Sequence, residues 1–286
     1  MSPSDASHPA LQAKQAALDQ ILKSLGSAAV AFSGGADSTF LLARACCVLG
    51  TEHVLAVTAK GEIYPEGELA EARATAARLG VSHEIIETDP LDLPGFRENP
   101  PDRCYICKQA ILERIQKLAK KRGLACVCDG ANADDPGEHR PGLRAAAELG
   151  VRSPLREAGL TKNDIRVLSR RMDLPTWDRP AAPCLATRFP YGQPITSEGL
   201  RRVAAAEALL KELGYSPCRV RDHAAVARIE IAPEVVSRLA AKDRDRIIKE
   251  LKRLSYAYVA LDLEGYRPGA MDETLPNAER GMRNAE

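Results

Sequence analysis

The chain has 286 residues, 45% hydrophobic and 28% charged, which is enough for one large domain or two modest ones with real cores. Forty basic residues against thirty-nine acidic ones leave a formal charge of +1, so nothing in the bulk electrostatics favours nucleic acid as a partner. No apolar run approaches a membrane span, and Met1-Ser2-Pro3-Ser4-Asp5 lacks the basic and apolar regions of a signal peptide; a cytoplasmic protein is expected, whose eight cysteines do not read as a disulfide framework.

A helix is predicted over Leu11–Ser24 after a loose lead-in. The apolar run Ala29–Phe32 then reads as a strand that breaks into Ser33-Gly34-Gly35-Ala36-Asp37-Ser38 and opens into a helix reaching Leu49. Paired glycines allow a tight turn and close approach of the backbone to a ligand. Successive amides and a helix N-terminus then face an anion. The hydroxyls of Ser33 and Ser38 add donors, and Asp37 is placed to hold a divalent cation beside the phosphates. The spacing is not Gly-x4-Gly-Lys-[Ser/Thr], and no lysine stands at that point. The segment resembles the PP-loop of the ATP pyrophosphatases, which cleave ATP between its α- and β-phosphates; the resemblance implies ATP and Mg²⁺.

Further strands are predicted over Val54–Thr58, His83–Thr88 and Ala125–Asp129, with helices over Pro65–Leu79 and Cys107–Lys121 between them. Such alternation predicts an α/β fold, an open parallel sheet with helices on both faces. Ligands of these sheets gather beyond the carboxyl ends of the strands, which places Ser33, Thr58 and Gly130 along one edge as nucleotide-binding candidates. Thr161-Lys162-Asn163-Asp164 is a capped start for a helix running to Met172. A proline-marked connection follows. A small α/β C-terminal domain is then predicted, with a helix over Ser197–Leu213, strands over Arg219–Arg221 and Ala227–Ile231, helices over Pro233–Ala241 and Asp243–Leu254, and a strand over Tyr256–Leu263. The division expected is 1–178 for the nucleotide domain, 179–195 for the connection and 196–286 for the small domain with a polar tail.

Three cysteines stand in polar or proline-marked surroundings. Cys104 and Cys107 form a Cys-x-x-Cys pair at a helix start, where the helix N-terminus, Arg103 and Lys108 favour thiolate. A redox pair, a metal site and two incidental thiols are the alternatives for it. Zinc wants four ligands, whereas three thiols suit a [4Fe-4S] cluster with one open iron. Cys184 lies between prolines in Pro183-Cys184-Leu185-Ala186-Thr187-Arg188, where Arg188 can stabilise a thiolate or a phosphate.

The PP-loop, Arg103-Cys104-Tyr105-Ile106-Cys107-Lys108, Asp129-Gly130-Ala131-Asn132-Ala133-Asp134-Asp135, Arg152-Ser153-Pro154-Leu155, Pro175-Thr176-Trp177-Asp178, the segment Pro183–Gly192, Arg219-Val220-Arg221 and Asp262–Arg267 occur in one order along nearly the whole chain. In this the sequence resembles the LarE-type ATP-dependent sulfur transferases, which help build the nickel-pincer nucleotide of lactate racemase. The resemblance implies that a carboxylate of a pyridinium dicarboxylate mononucleotide attacks the α-phosphorus of ATP, and that sulfur then displaces AMP. In the single-cysteine form the residue matching Cys184 gives up its own sulfur; the three-cysteine form implies a [4Fe-4S] cluster on Cys104, Cys107 and Cys184, with a sulfide donor to reload it. Arg219 and Arg221 share one face of a strand. The resemblance implies that they bind the substrate phosphate, joined by Arg188; Glu207 and Glu230 receive no role. Hexamers occur in the family, so a homo-oligomer is a possible partner state. Rival readings are a PP-loop iron–sulfur tRNA thiolase, an amide-forming ligase and a redox-sensing nucleotide-binding regulator.

Overall fold

The strands of the first sheet are β1 (Ala28–Ala31), β2 (Val54–Lys60), β3 (Ser82–Glu87) and β4 (Cys126–Cys128), all parallel in the order β3-β2-β1-β4. Three of the four, β1, β2 and β4, are largely apolar and buried, and the edge strand β3 is polar and half-buried. Ala28, Val30, Ala56 and Cys128 face one core, while Ala29, Leu55, Val57 and Val127 face another. Burial on both sides is why β1, β2 and β4 read as apolar runs instead of alternating. The structure, a computed structural model, describes residues 9–65, 67–135, 141–180, 182–267 and 269–275. The lead-in before Pro9 and the tail beyond Leu275 lie outside the described residues.

The described residues form two compact units. The first takes the chain up to Lys60, Gly67–Thr88 and Cys104–Ala182; the second takes Gly61–Pro65, Asp89–Arg103 and the chain from Pro183 onward. In the first unit, α1 (Pro9–Leu25), α2 (Ala36–Leu49) and α7 (Lys162–Arg171) contribute to one core. On the opposite face α4 (Arg103–Lys121) supplies Leu112, Ile115 and Ala119. Helix α3 (Glu68–Leu79) follows β2. The expected α/β sheet with helices on both faces is therefore present. Strand order reverses at β1, so the carboxyl ends of β1 and β4 flank the crevice where ligands of open sheets bind.

Local chemistry sets the ends of these helices. Thr161 Oγ1 accepts from the Asp164 amide at 3.2 Å and the Asp164 carboxylate accepts from the Thr161 amide at 3.0 Å, a reciprocal cap on α7. Two short helices, α5 (Pro141–Glu148) and α6 (Pro154–Glu157), were not predicted; at eight and four residues they carry too little periodicity. Between them Arg152 makes a one-residue parallel bridge to Cys128.

The second unit holds α8 (Ser197–Glu212) and a three-stranded mixed sheet of β5 (Cys218–His223), β6 (Val226–Ile231) and β7 (Tyr258–Leu261). Strands β5 and β6 are antiparallel and β7 is parallel to β6. Helices α9 (Val236–Arg238) and α10 (Arg244–Arg253) are joined by a π-turn over Leu239–Asp243, a continuous run where a break had been expected. Leu210, Tyr215, Val220, Ile229, Ile247 and Leu251 are among its buried core.

Candidate active site

The β1–α2 turn is a glycine cradle held by its own hydroxyls. Ser33 Oγ lies 3.1 Å from Ser38 Oγ and accepts from the Gly35 amide at 3.3 Å; Ser38 Oγ donates to the Gly35 carbonyl at 3.3 Å. Gly34 has φ of 76°, and a Cβ there would stand 3.3 Å from the Ala72 Cβ. Gly35, the N-cap of α2, offers no side-chain cap, so the first amides of the helix are left for another acceptor. Gly130, just beyond β4, lies against the same helix start. A Cβ at Gly130 would be 3.1 Å from the Ser38 amide nitrogen and 3.2 Å from its Cα. Arg179 Nη1 donates to the Gly34 carbonyl at 3.1 Å, and its guanidinium is paired with Glu71.

Asp37 stands in the first turn of α2 with its Oδ2 accepting from Asn132 Nδ2 at 3.2 Å. Its Oδ1 is buried without a hydrogen-bond partner. Desolvation, opposed by Lys162 and Asn132, raises its pKa above the ordinary carboxylate value. A desolvated carboxylate oxygen beside an uncapped helix start suits a hard divalent cation shared with phosphates, so these residues fit Mg²⁺. Asn132 is fixed in turn: its Oδ1 accepts from the Asp134 amide at 2.9 Å and its own amide donates to Asp135 Oδ2 at 3.0 Å. In the sequence Asn132 is marked only by its place within Asp129–Asp135.

Thr58, near the end of β2, is tied to the strand that leads into the cradle. Its Oγ1 donates to the Phe32 carbonyl at 2.6 Å and lies 2.8 Å from His83 Nε2. The single hydroxyl proton is committed to Phe32, so His83 Nε2 carries the proton of the second bond. Burial, then Arg73, lowers the His83 pKa, which keeps the ring neutral. Thr58 thereby fixes the carbonyl immediately before Ser33.

Cys104 and Cys107 lie one turn apart at the start of α4, Cys104 exposed and Cys107 half-buried. The two cations expected to favour thiolate have other neighbours. Lys108 Nζ donates to Asp129 Oδ2 at 2.8 Å, and Arg103 stacks over the Tyr191 ring at 4.3 Å. Among the described residues, no further His, Cys, Asp or Glu of this unit joins the pair in a three-ligand group.

In the second unit, half-buried Cys184 precedes a short 3-10 turn over Leu185–Arg188. The Cys184 carbonyl accepts from Thr187 Oγ1 at 2.9 Å and Arg188 Nη1 at 3.1 Å, and Arg188 Nη1 also reaches the Pro183 carbonyl at 2.8 Å. Asn99, which the sequence reading missed inside a loop, donates from Nδ2 to the carbonyls of Phe189 and Pro190 at 3.2 and 2.7 Å.

The three arginines expected to bind phosphate are buried. Arg188 meets Glu207 through two bonds of 2.7 and 2.9 Å, and Arg221 meets Glu230 through two of 2.9 and 2.7 Å. Arg219 donates to the Cys218 carbonyl at 2.7 Å and stacks over Tyr266 at 5.0 Å. Burial, then repulsion from Arg188, lowers the Arg219 pKa. Glu207 and Glu230 had no assigned role in the sequence; they are the counter-ions that keep Arg188 and Arg221 in place.

No family model matches the chain. It is 40% identical over 266 residues to an uncharacterised protein of Synechocystis sp., covering 93% of this chain and 99% of that one. It is 39% identical over 269 residues to the pyridinium-3,5-bisthiocarboxylic acid mononucleotide synthase of Lactiplantibacillus plantarum, covering 94% and 97%. The chain belongs to this synthase family. The synthase family is the LarE-type family indicated by the sequence motifs, and its members are enzymes. A partial likeness extends to the argininosuccinate synthase of Halobacterium salinarum, 31% identical over 162 residues, or 52% of this chain and 40% of that enzyme. The parallel four-stranded sheet and the small mixed sheet are those of the adenine nucleotide alpha-hydrolase-like fold. No described helix is long and apolar enough to cross a membrane.

Proposed function

We propose that this protein is an ATP-dependent sulfur transferase acting on pyridinium-3,5-biscarboxylic acid mononucleotide in nickel-pincer nucleotide synthesis. The unpartnered, buried Asp37 Oδ1 beside the glycine cradle carries this reading, because it combines an anion site with a cation ligand. Ser33, Gly34, Gly35 and Ser38 bind the phosphates of ATP through amides and hydroxyls, with Gly130 leaving room behind the helix start. Thr58 and His83 hold the loop entry. Mg²⁺ on Asp37 would neutralise charge on the phosphates.

A substrate carboxylate oxygen attacks the α-phosphorus, the bond to the bridging oxygen breaks, and pyrophosphate departs. The mixed anhydride then carries AMP as a leaving group that the free carboxylate lacked. Sulfur adds to the acyl carbon and AMP leaves, giving the thiocarboxylate. Arg219 binds the substrate phosphate through its guanidinium, while Arg188 and Arg221 shape that site from their glutamate clamps.

Cys104, Cys107 and Cys184 would hold a [4Fe-4S] cluster, and accessible or half-buried thiols fit that donor set. The cluster supplies a replaceable sulfide when bound, delivered by a separate sulfide donor. The test is iron and acid-labile sulfide per chain after anaerobic purification, in wild type and in Cys104→Ala, Cys107→Ala and Cys184→Ala. About four of each in wild type, lost in all three variants, is expected. No iron in wild type, with dehydroalanine at position 184 after one turnover, would move the sulfur source to Cys184 itself.

A further inference from the structure

Two cysteines outside the proposed chemistry stand on β4. Strand alternation puts Cys126 and Cys128 on one face, and their sulfurs lie 3.9 Å apart. Their environments differ. Cys126 is half-buried and its Sγ also reaches the Ser27 carbonyl at 3.5 Å, whereas Cys128 is fully buried. An oxidant from solvent therefore meets Cys126 first, and Cys128 can be reached only from its neighbour. The bond from Cys128, followed by Arg152, lowers the Cys126 pKa, while the Cys128 thiol is pushed up by the same bond and by burial. Cys126 is the attacking sulfur and Cys128 the resolving one.

The strand that carries them supports the nucleotide cradle. Asp129 follows Cys128 directly; its amide donates to the Arg152 carbonyl at 2.9 Å, and its carboxylate accepts from Lys108 and Ser153 at 2.8 and 2.7 Å. Gly130 comes next, against the Ser38 amide. Two strand residues span about 6.6 Å, near the upper end of the Cα separations, about 4.4–6.8 Å, that disulfides accept. Joining the sulfurs draws the strand together just before Asp129.

We infer that Cys126 and Cys128 are a reversible oxidation site for low-molecular-weight disulfides, and that closing the bond shifts Asp129 and displaces Gly130 from the start of α2. The Cys126 thiolate attacks one sulfur of RSSR, forming Cys126–S–SR and releasing RS⁻. Cys128 gives its proton to that RS⁻, attacks the Cys126 sulfur and expels the second RS⁻. Two cysteine sulfurs lose two electrons and RSSR gains them. A shortened strand makes the product easy to reduce again.

The test uses the full chain with glutathione disulfide, followed by alkylation and trypsin. Peptide Gly123–Arg144 contains Cys126, Cys128 and no other cysteine. It is expected to lose both alkylation sites and two hydrogens, and to recover them with excess dithiol. A peptide that stays doubly alkylated, or stops as a glutathione adduct, overturns the pair. Hydrogen exchange over Phe32–Thr39 is expected to quicken in oxidised wild type but not in the oxidised Cys126→Ala/Cys128→Ala double variant. Equal exchange in both overturns the coupling. Oxidation should also weaken ATP binding about tenfold, as a displaced cradle would. That last arm rests on the ATP reading: failure of reduced protein to bind ATP would defeat that reading, while the peptide and exchange arms still decide this one.

Discussion

Replacing Gly130 with alanine probes the contact between the end of β4 and the start of α2. The added Cβ would sit 3.1 Å from the Ser38 nitrogen and 3.2 Å from its Cα, both backbone atoms that no rotamer change can move. Either the helix start or the Asp129–Ala131 turn must give by a few tenths of an ångström. Overpacking of this kind costs about 1–3 kcal/mol. For a chain this size the unfolding midpoint then falls by a few degrees, up to about ten. The same displacement moves Ser38 and Asp37, so ATP affinity should drop about tenfold as well. Gly142→Ala is the control, since its Cβ would meet the flexible Lys108 Cδ at 3.2 Å and the Cys104 carbonyl at an ordinary 3.9 Å, within helix α5, where alanine is the better helix former. Calorimetry gives the midpoints and titration with ATP and Mg²⁺ the affinities. A Gly130→Ala protein with unchanged midpoint and affinity would refute the close approach and the placement of the cradle at this crevice.

Asp37→Asn should stabilise the fold while ending pyrophosphate release. The folded-state pKa of Asp37 lies above its unfolded value of 3.8, so the folded protein holds more protons between the two, and stability falls as pH rises through that window. Asparagine removes this penalty: the gain is present at neutral pH and vanishes below pH 3.8, as thermal melts across pH will show; a gain that persists at low pH would contradict it. Glu207→Gln leaves Arg188 buried without its carboxylate and should cost about 3–5 kcal/mol in urea unfolding, whereas Arg188→Met with Glu207→Leu should cost less. His83→Leu should raise the KM for ATP through a loosened Thr58 and Phe32, while His83→Gln, which keeps a donor toward Thr58, should restore much of it. Equal effects of both His83 variants would show that the bond to Thr58 does not position the loop.

Much of the first unit was legible because its signals are local. The positive φ of Gly34 and the hydroxyl bonds of Ser33–Ser38 are set within six residues, and Thr161 with Asp164 closes a cap across three. What stayed hidden depends on distant partners. Arg152 bridges β4 as a single residue, Asn132 reaches Asp37 from 95 positions away, and Asn99 reaches the carbonyl of Pro190 from 91. None of these has a periodicity, since each is one polar side chain meeting one group that the fold brings to it. Thr58 is a like case: its place at the strand end is readable, but its bond to the Phe32 carbonyl is not.

The arginines of the second unit show how a strand face can be readable while its partners are not. Alternation on β5 placed Arg219 and Arg221 on one face, and the two do share it. Opposite them, β6 brings Glu230 into register with Arg219, and α8 brings in Glu207. Arg188 and Arg221 therefore enter the site already neutralised, and both use a remaining Nη1 on backbone carbonyls around Cys184: Arg188 on Pro183 and Cys184, Arg221 on Thr187. A carboxylate-clamped guanidinium holds such carbonyls more firmly than a solvated one, because its own orientation is fixed by two charge-assisted bonds. The two glutamates thus act on the cysteine at one remove. They secure the main chain on either side of Cys184, the part that would have to stay still in the proposed binding or transfer of sulfur there.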